Sequence, residues 1–210
     1  EEKIFAGKIF DPRSEELRQI NHKPHEACRR YNTLDEYDPE RQELMRSILG
    51  STGKTFYFQG PVQINYGSHT FIGENFFANF GLTIMDDARV YIGNNVCFGP
   101  NVSLMATTHP LIAQERMGMD AEGRTTMAEY ADEIHIGNNV WIACNAVVLG
   151  GVHIGNNVVI GAGSVVTKDI PDGYLAFGNP CKPVRPITEA DSKKDLILPE
   201  DRKHFEYNLM

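Results

Sequence analysis

His109, His135 and His153 are the residues of this 210-residue chain with the most chemistry on offer. An imidazole titrates near neutrality, so any of them can take up and return a proton. Three together also invite a zinc site of the water-activating kind. All three hold one place in a repeating frame, just before an inward position, and His135 and His153 are 18 residues apart. The spacing predicts stacked rings on adjacent turns, which do not converge on one ion. His109 stands in "TTHP" at 107–110 and is either a general base or a surface histidine at a turn. Asp86 and Asp87 in "MDDAR" read as a solvated turn at a two-residue insertion, although a carboxylate, which only accepts hydrogen bonds, also suits polyol recognition. Lys168, Lys182 and Arg185 gather positive charge in a chain of net charge −8. Such a group suits a multiply phosphorylated ligand or forms a solvated edge. Trp141, the only tryptophan, precedes an inward position and is expected to point outward as a contact residue. Cys28, Cys97, Cys144 and Cys181 are far apart and make no CxxC pair, which argues against structural zinc and a disulfide framework.

These groups need a scaffold, and the chain advertises one. Ile136, Ile142, Val148, Ile154, Ile160 and Val166 fall six apart without a break. Helices repeat every 3.6 residues and strands every 2, so six is neither. Short strands joined by corners, three to a turn of 18 residues, give that period in a parallel β-helix. A small residue follows the aliphatic at Gly137, Ala143, Gly155 and Gly161. Small or β-branched residues follow four places on, at Val140, Ala146, Val152, Val158 and Ser164, as a narrow interior demands. "IGNN" at 92, 136 and 154 and "IGEN" at 72 supply Gly and Asn, which tolerate the left-handed backbone of sharp corners.

Upstream the frame runs Ile72, Ala78, Ile84, Ile92, Phe98, Leu104, with two residues inserted near "MDDAR". It then breaks for about 25 residues, 110–134, too long and polar for another turn and expected as an extruded functional loop. The segments "DPRSEELRQI" and "DPERQELMRSILG" open with capping residues and carry helically spaced apolars. The predicted organisation is a helical cap over 1–55, the β-helix over 56–185 and a charged, aromatic tail over 186–210 packing on its outside.

The sequence pI of about 5.4 argues against nucleic acid or an anionic membrane as the main partner. No apolar run reaches the roughly 20 residues of a bilayer span. "EEKIFAGKIF" has no basic n-region and no long apolar h-region, so a reduced, cytoplasmic protein is expected.

The hexapeptides, with "TTHP", "GAGSVVTKDIP" at 161–171 and "GNPCKPVR" at 178–185, resemble the hexapeptide-repeat acyltransferases of galactoside and maltose O-acetyltransferase type. "AGKIFDP" and the helices after it extend the likeness over nearly the whole chain. The resemblance implies a left-handed coil, a homotrimer with shared active sites, and acetyl transfer from acetyl-CoA to a sugar hydroxyl. "LTIMDD" and "YGSHTFIG" look more like the galactoside than the maltose type.

By that resemblance His109 is the general base and Asn79 hydrogen-bonds the reacting centre. Asp87 binds sugar hydroxyls, with Asn65 where the family often has Ser, and Asp11 one residue off the family's acid. Thr167 and Lys168 meet the cofactor and Ala162 lines its path. Trp141 and Cys144 lie beside it, and Lys182 and Arg185 face its phosphates. Lys182 stands for a family Arg and loses the bidentate fork. No metal is expected. The rivals are a maltose, glucose or xenobiotic alcohol or amine acceptor, a zinc carbonic anhydrase on the same coil, and a non-catalytic scaffold. Outward apolars such as Phe77, Val147 and Val159 support association.

Overall fold

A computed structural model describes residues 1–204, the side chains of 202–204 excepted. The hexapeptide segments form a parallel solenoid whose short strands stack into three sheets. The first face holds Phe56–Phe58, Phe76–Ala78, Cys97–Phe98, Trp141–Ile142 and Val159–Ile160, and is continued by Tyr174–Gly178 and Cys181–Pro186. The second holds Val62–Ile64, Leu82–Met85, Ser103–Met105, Val147–Leu149 and Val165–Val166. The third holds Thr70–Ile72, Val90–Ile92, Ile134–Ile136 and His153–Ile154.

The period of six is the alternation of each strand summed around the triangle. Every aliphatic of the frame is buried, from Ile72 through Leu104 and from Ile136 through Val166. Asn75, Asn95, Asn139 and Asn157 take φ of 55 to 57°, closing the corners after the third face. Their amides hydrogen-bond in a ladder, Asn95 Nδ2 to Asn139 Oδ1 at 3.0 Å and Asn139 Nδ2 to Asn157 Oδ1 at 3.0 Å. Gly137 lies beneath Gly155 so closely that a Cβ there would sit 2.8 Å from its carbonyl. Only glycine permits that spacing.

A parallel stack ends in a row of unpaired backbone groups. The N-terminal helices cover this edge: α1 (Glu2–Phe5), α2 (Glu15–Tyr31) and α3 (Glu40–Ile48). Ser14 caps α2 by accepting from Leu17 N at 3.4 Å. Asn32 pairs both ways with the Val62 backbone, at 2.8 and 2.9 Å. Arg41 donates to the carbonyls of Phe58 and Gln59, at 3.1 and 2.8 Å, and Gln42 to that of Phe56, at 2.8 Å. At the other end the Tyr174–Gly178 and Cys181–Pro186 strands pair antiparallel and close the first face.

The extruded segment is structured. It carries α4 (Ala113–Arg116) and an antiparallel hairpin of Met117–Met119 with Thr125–Met127. It then returns as Tyr130–Ala131, antiparallel to Thr107–Thr108, and rejoins the solenoid at Ile134. A bridge between Phe10 and Glu129 ties it to the N-terminal segment. Beyond Pro186 come three 3-10 turns, almost entirely exposed up to Asp201. The tail's last residues, 205–210, lie outside the described residues.

Candidate active site

A triangular solenoid has three edges, and the residues singled out above fall on two of them. Asn65, Asp87 and His109 follow the second-face strand on three consecutive turns. Thr167 and Lys168 continue the same edge further along. Asn79, Cys144 and Ala162 lie on the other edge, between the first and second faces. Trp141 points out from the first face at 51% exposure, and Lys182 and Arg185 lie on its last strand, exposed. Within one chain the structure therefore brings Asn65, Asp87 and His109 together and does not bring Asn79 to them.

His109 is positioned by the returning segment. Its Nδ1 is 2.8 Å from the Ala128 carbonyl oxygen. A carbonyl only accepts, so Nδ1 carries the hydrogen and the Nε2 lone pair is left open. Glu129 Oε1 lies 3.5 Å from Nε2, and Thr107 Oγ1 donates to Glu129 Oε2 at 3.3 Å. Only 12% of the Glu129 side chain is exposed. Burial pushes its carboxyl above the usual range, while His109 pulls the other way. An imidazole held like this presents Nε2 as its one open hydrogen-bond acceptor, with the Glu129 side chain beside it.

The two inserted residues are not a solvated turn. Asp86 and Asp87 are 0% and 1% exposed. Asp86 accepts from Tyr66 N at 2.7 Å, Gly67 N at 2.8 Å and Thr70 Oγ1 at 2.7 Å, so it serves as an internal anchor for the corner. Asp87 instead faces the site, accepting from Asn65 Nδ2 at 3.2 Å. Asn65 Oδ1 in turn meets His25 Nε2 at 3.1 Å. Asp11 accepts from Met127 N at 3.2 Å and pairs with Arg13 at 3.2 Å, which places it against the extruded hairpin.

Burial, with Glu129 adding its charge, pushes the Asp87 carboxyl up to about 7 from an ordinary 3.8. The folded protein therefore holds this proton more tightly than the unfolded chain does. The sign follows: Asp87 is no burden below the unfolded value, and stability is lost as pH rises from about 4 through about 7. Asp87→Asn is expected to remove that loss. The difference in unfolding free energy, variant minus parent, should grow by on the order of 2–4 kcal/mol between pH 4.5 and pH 8. Urea titrations read it, and parallel stability curves would rule it out.

The cofactor candidates are less settled in geometry. Arg185 is held by Asp191 through both nitrogens, at 2.8 and 2.6 Å, and must exchange that partner to meet a phosphate. Lys182 is exposed opposite Phe177. His135 and His153 stack at 4.3 Å and 8°, as the spacing predicts, continuing a column from Phe71 and Tyr91. Among the described residues no group of three or more His, Cys, Asp or Glu could hold a metal ion.

Glu129 and His25 were not legible as site residues. Glu129 sits inside the break in the repeat, and "TTMAEYA" has a strand-like alternation that could have suggested its return to "TTH". His25 lies on α2, forty residues from Asn65, and nothing local marks it.

Comparison with known proteins gives the geometry its context. Residues 133–168 match the family model "Bacterial transferase hexapeptide (six repeats)", and residues 3–53 match the "Maltose acetyltransferase hexapeptide capping motif". The chain is 40% identical to the galactoside O-acetyltransferase of Escherichia coli, over 90% of each chain. A galactoside acetyltransferase solved with coenzyme A is 41% identical at a TM-score of 0.83, covering 90% of this chain and 92% of its own. A maltose O-acetyltransferase from Clostridium difficile is 38% identical at a TM-score of 0.82, covering 90% and 97%.

Proposed function

The chain belongs to the hexapeptide-repeat acyltransferases of galactoside/maltose O-acetyltransferase type, acetyl-CoA-dependent O-acetyltransferases, and from that premise we propose that it acetylates a galactoside hydroxyl with His109 as general base. The observation that carries the reading is the locked imidazole. Its Nδ1–H is committed to Ala128, and its free Nε2 stands on the edge that also presents Asp87 and Asn65.

The chemistry then balances without a covalent enzyme intermediate. The acceptor oxygen attacks the thioester carbonyl carbon while its proton passes to Nε2. The carbonyl oxygen of the tetrahedral intermediate collects negative charge, which the Asn79 amide and a backbone N–H stabilise. Collapse breaks the carbon–sulfur bond, and the imidazolium returns its proton to the departing thiolate. Asp87 and Asn65 hold the sugar, with Asp11 at the margin. Thr167, Lys168, Ala162, Trp141, Cys144, Lys182 and Arg185 hold coenzyme A, the last after releasing Asp191.

Because Asn79 and His109 lie on different edges, one chain does not complete this site. A homotrimer does, each interface joining the His109 edge of one protomer to the Asn79 edge of its partner. The outward apolar column of Met85, Met105 and Leu149 on the second face favours such an assembly. Four free thiols suit a reducing cytoplasm. No helix among the described residues is long and apolar enough to cross a membrane.

The maltose reading is the second one, favoured by the capping-motif match over residues 3–53. Thiol release from acetyl-CoA across galactosides, maltose, glucose and an amine separates the two. We expect kcat/KM for a galactoside to exceed that for maltose by about tenfold or more, the size a few pocket contacts supply. Reversed preference would install maltose. Silence on every acceptor, with no acetyl-CoA binding by calorimetry, would leave a scaffold.

A further inference from the structure

The helical cap covers the first edge of the solenoid, and one of its side chains also reaches the proposed acceptor site. His25 lies on α2, and its Nε2 stands 3.1 Å from Asn65 Oδ1, forty residues away. A carbonyl oxygen only accepts, so Nε2 carries the hydrogen and donates. The other half of the same amide donates from Nδ2 to Asp87 Oδ2 at 3.2 Å. His25, Asn65 and Asp87 thus form one line of hydrogen bonds from the cap onto the edge that carries His109.

The ends of that line are fixed, and its middle is set by them. α2 is pinned on either side of His25. Lys23 Nζ donates to the Ser47 carbonyl at 3.1 Å, and Asn32 pairs with the Val62 backbone at 2.8 and 2.9 Å. Pro24, the neighbour of His25, is buried. Asp87 is 1% exposed. Asn65 is only half-buried, at the corner after Val62–Ile64, where its backbone N–H bonds the Ile84 carbonyl at 3.0 Å. The last torsion of an asparagine is broad and roughly two-fold. One partner leaves such an amide free to pivot, whereas a second on the opposite side settles which way it faces. With both in place, one Nδ2 hydrogen and one Oδ1 lone pair stay uncommitted. Together they suit a hydroxyl, which both accepts and donates.

We propose that His25 is a positioning residue for the acceptor, fixing the Asn65 amide so that it reads a sugar hydroxyl without itself meeting acetyl-CoA or the reacting atoms. The assignment rests on the sugar acetyltransferase reading and deepens it, because it makes the helical cap part of acceptor recognition.

Steady-state kinetics and calorimetry with methyl galactoside test it on the full chain. His25→Ala should raise sugar KM and Kd about 3- to 10-fold, the net worth of one hydrogen bond. The value of kcat at saturating sugar and the KM for acetyl-CoA should hold. His25→Gln, whose amide N–H can stand near the place of Nε2, should recover most of the loss. Asn65→Ala should itself raise sugar KM, and adding His25→Ala to it should change nothing further, since no amide is left to orient. Equal sugar KM and Kd for parent and His25→Ala overturn the assignment alone, and so does a double variant whose losses add. A fall in Tm with equal loss of both substrates, unrecovered by Gln, assigns His25 to the packing of α2 instead. A parent that neither binds nor acetylates methyl galactoside overturns the galactoside reading itself, and the role of His25 in it.

Discussion

His109→Ala is expected to lower kcat for sugar acetylation by about 10²–10⁴-fold, the range that general base catalysis supplies. Acetyl-CoA KM should barely move, because the imidazole touches the acceptor proton and not the cofactor. The size follows from the geometry at Nε2. With Nδ1–H bound to Ala128, one nitrogen, Nε2, is available to accept the acceptor's proton. Folding should survive, because the His109 side chain is 39% exposed and loses a single hydrogen bond to backbone. Stopped thiol-release assays with matched unfolding curves measure both quantities. A kcat within threefold of the parent would remove His109 from the mechanism.

The second large effect concerns the two edges. Asn79→Ala and His109→Ala should each be nearly inactive alone. Mixed in equal amounts, unfolded and reassembled, they should recover about one quarter of parental activity. In a trimer with sites at its interfaces, a productive site needs His109 from one protomer and Asn79 from its neighbour. Each requirement is met half the time by random assortment, and the product is one quarter. If the two residues served one site within a chain, every site in the mixture would lack one of them and recovery would be nil. Asn79 itself supports the first outcome. Its side-chain oxygen accepts from Phe80 N at 2.8 Å, holding the amide at the first-to-second corner, away from His109. Light scattering on the same samples fixes the assembly, and a monomer at micromolar concentration would sink the shared-site arrangement.

The repeat was legible residue by residue because its causes are local. A strand alternates, a corner needs Asn at positive φ, and turns stacked this closely need a Gly where their backbones meet. Those demands recur at Ile136, Gly137 and Asn139 and again at Ile154, Gly155 and Asn157. The helical segments carried their apolar spacing in the same way, and Ser14 caps α2, while α3 follows Pro39 with no side-chain cap. His135 over His153 followed from an 18-residue turn alone.

The environment of each side chain was a different matter. Asp86 and Asp87 are adjacent in sequence, yet one is spent on the corner's own N–H groups and the other faces Asn65. Which did which depended on backbone twenty residues away. Glu129 reaches His109 only because a hairpin of no repeat pattern folds back onto Thr107–Thr108. Arg185 carries the charge expected of it, but Asp191 already occupies the guanidinium. By itself, then, the amino-acid order determined the coil, its corners and the family. Tertiary structure alone decided which carboxylates lose their water, which nitrogen of His109 stays open and which edge each residue occupies. Periodicity is a property of neighbours along the chain, whereas burial, proton affinity and convergence arise between segments that only packing brings together.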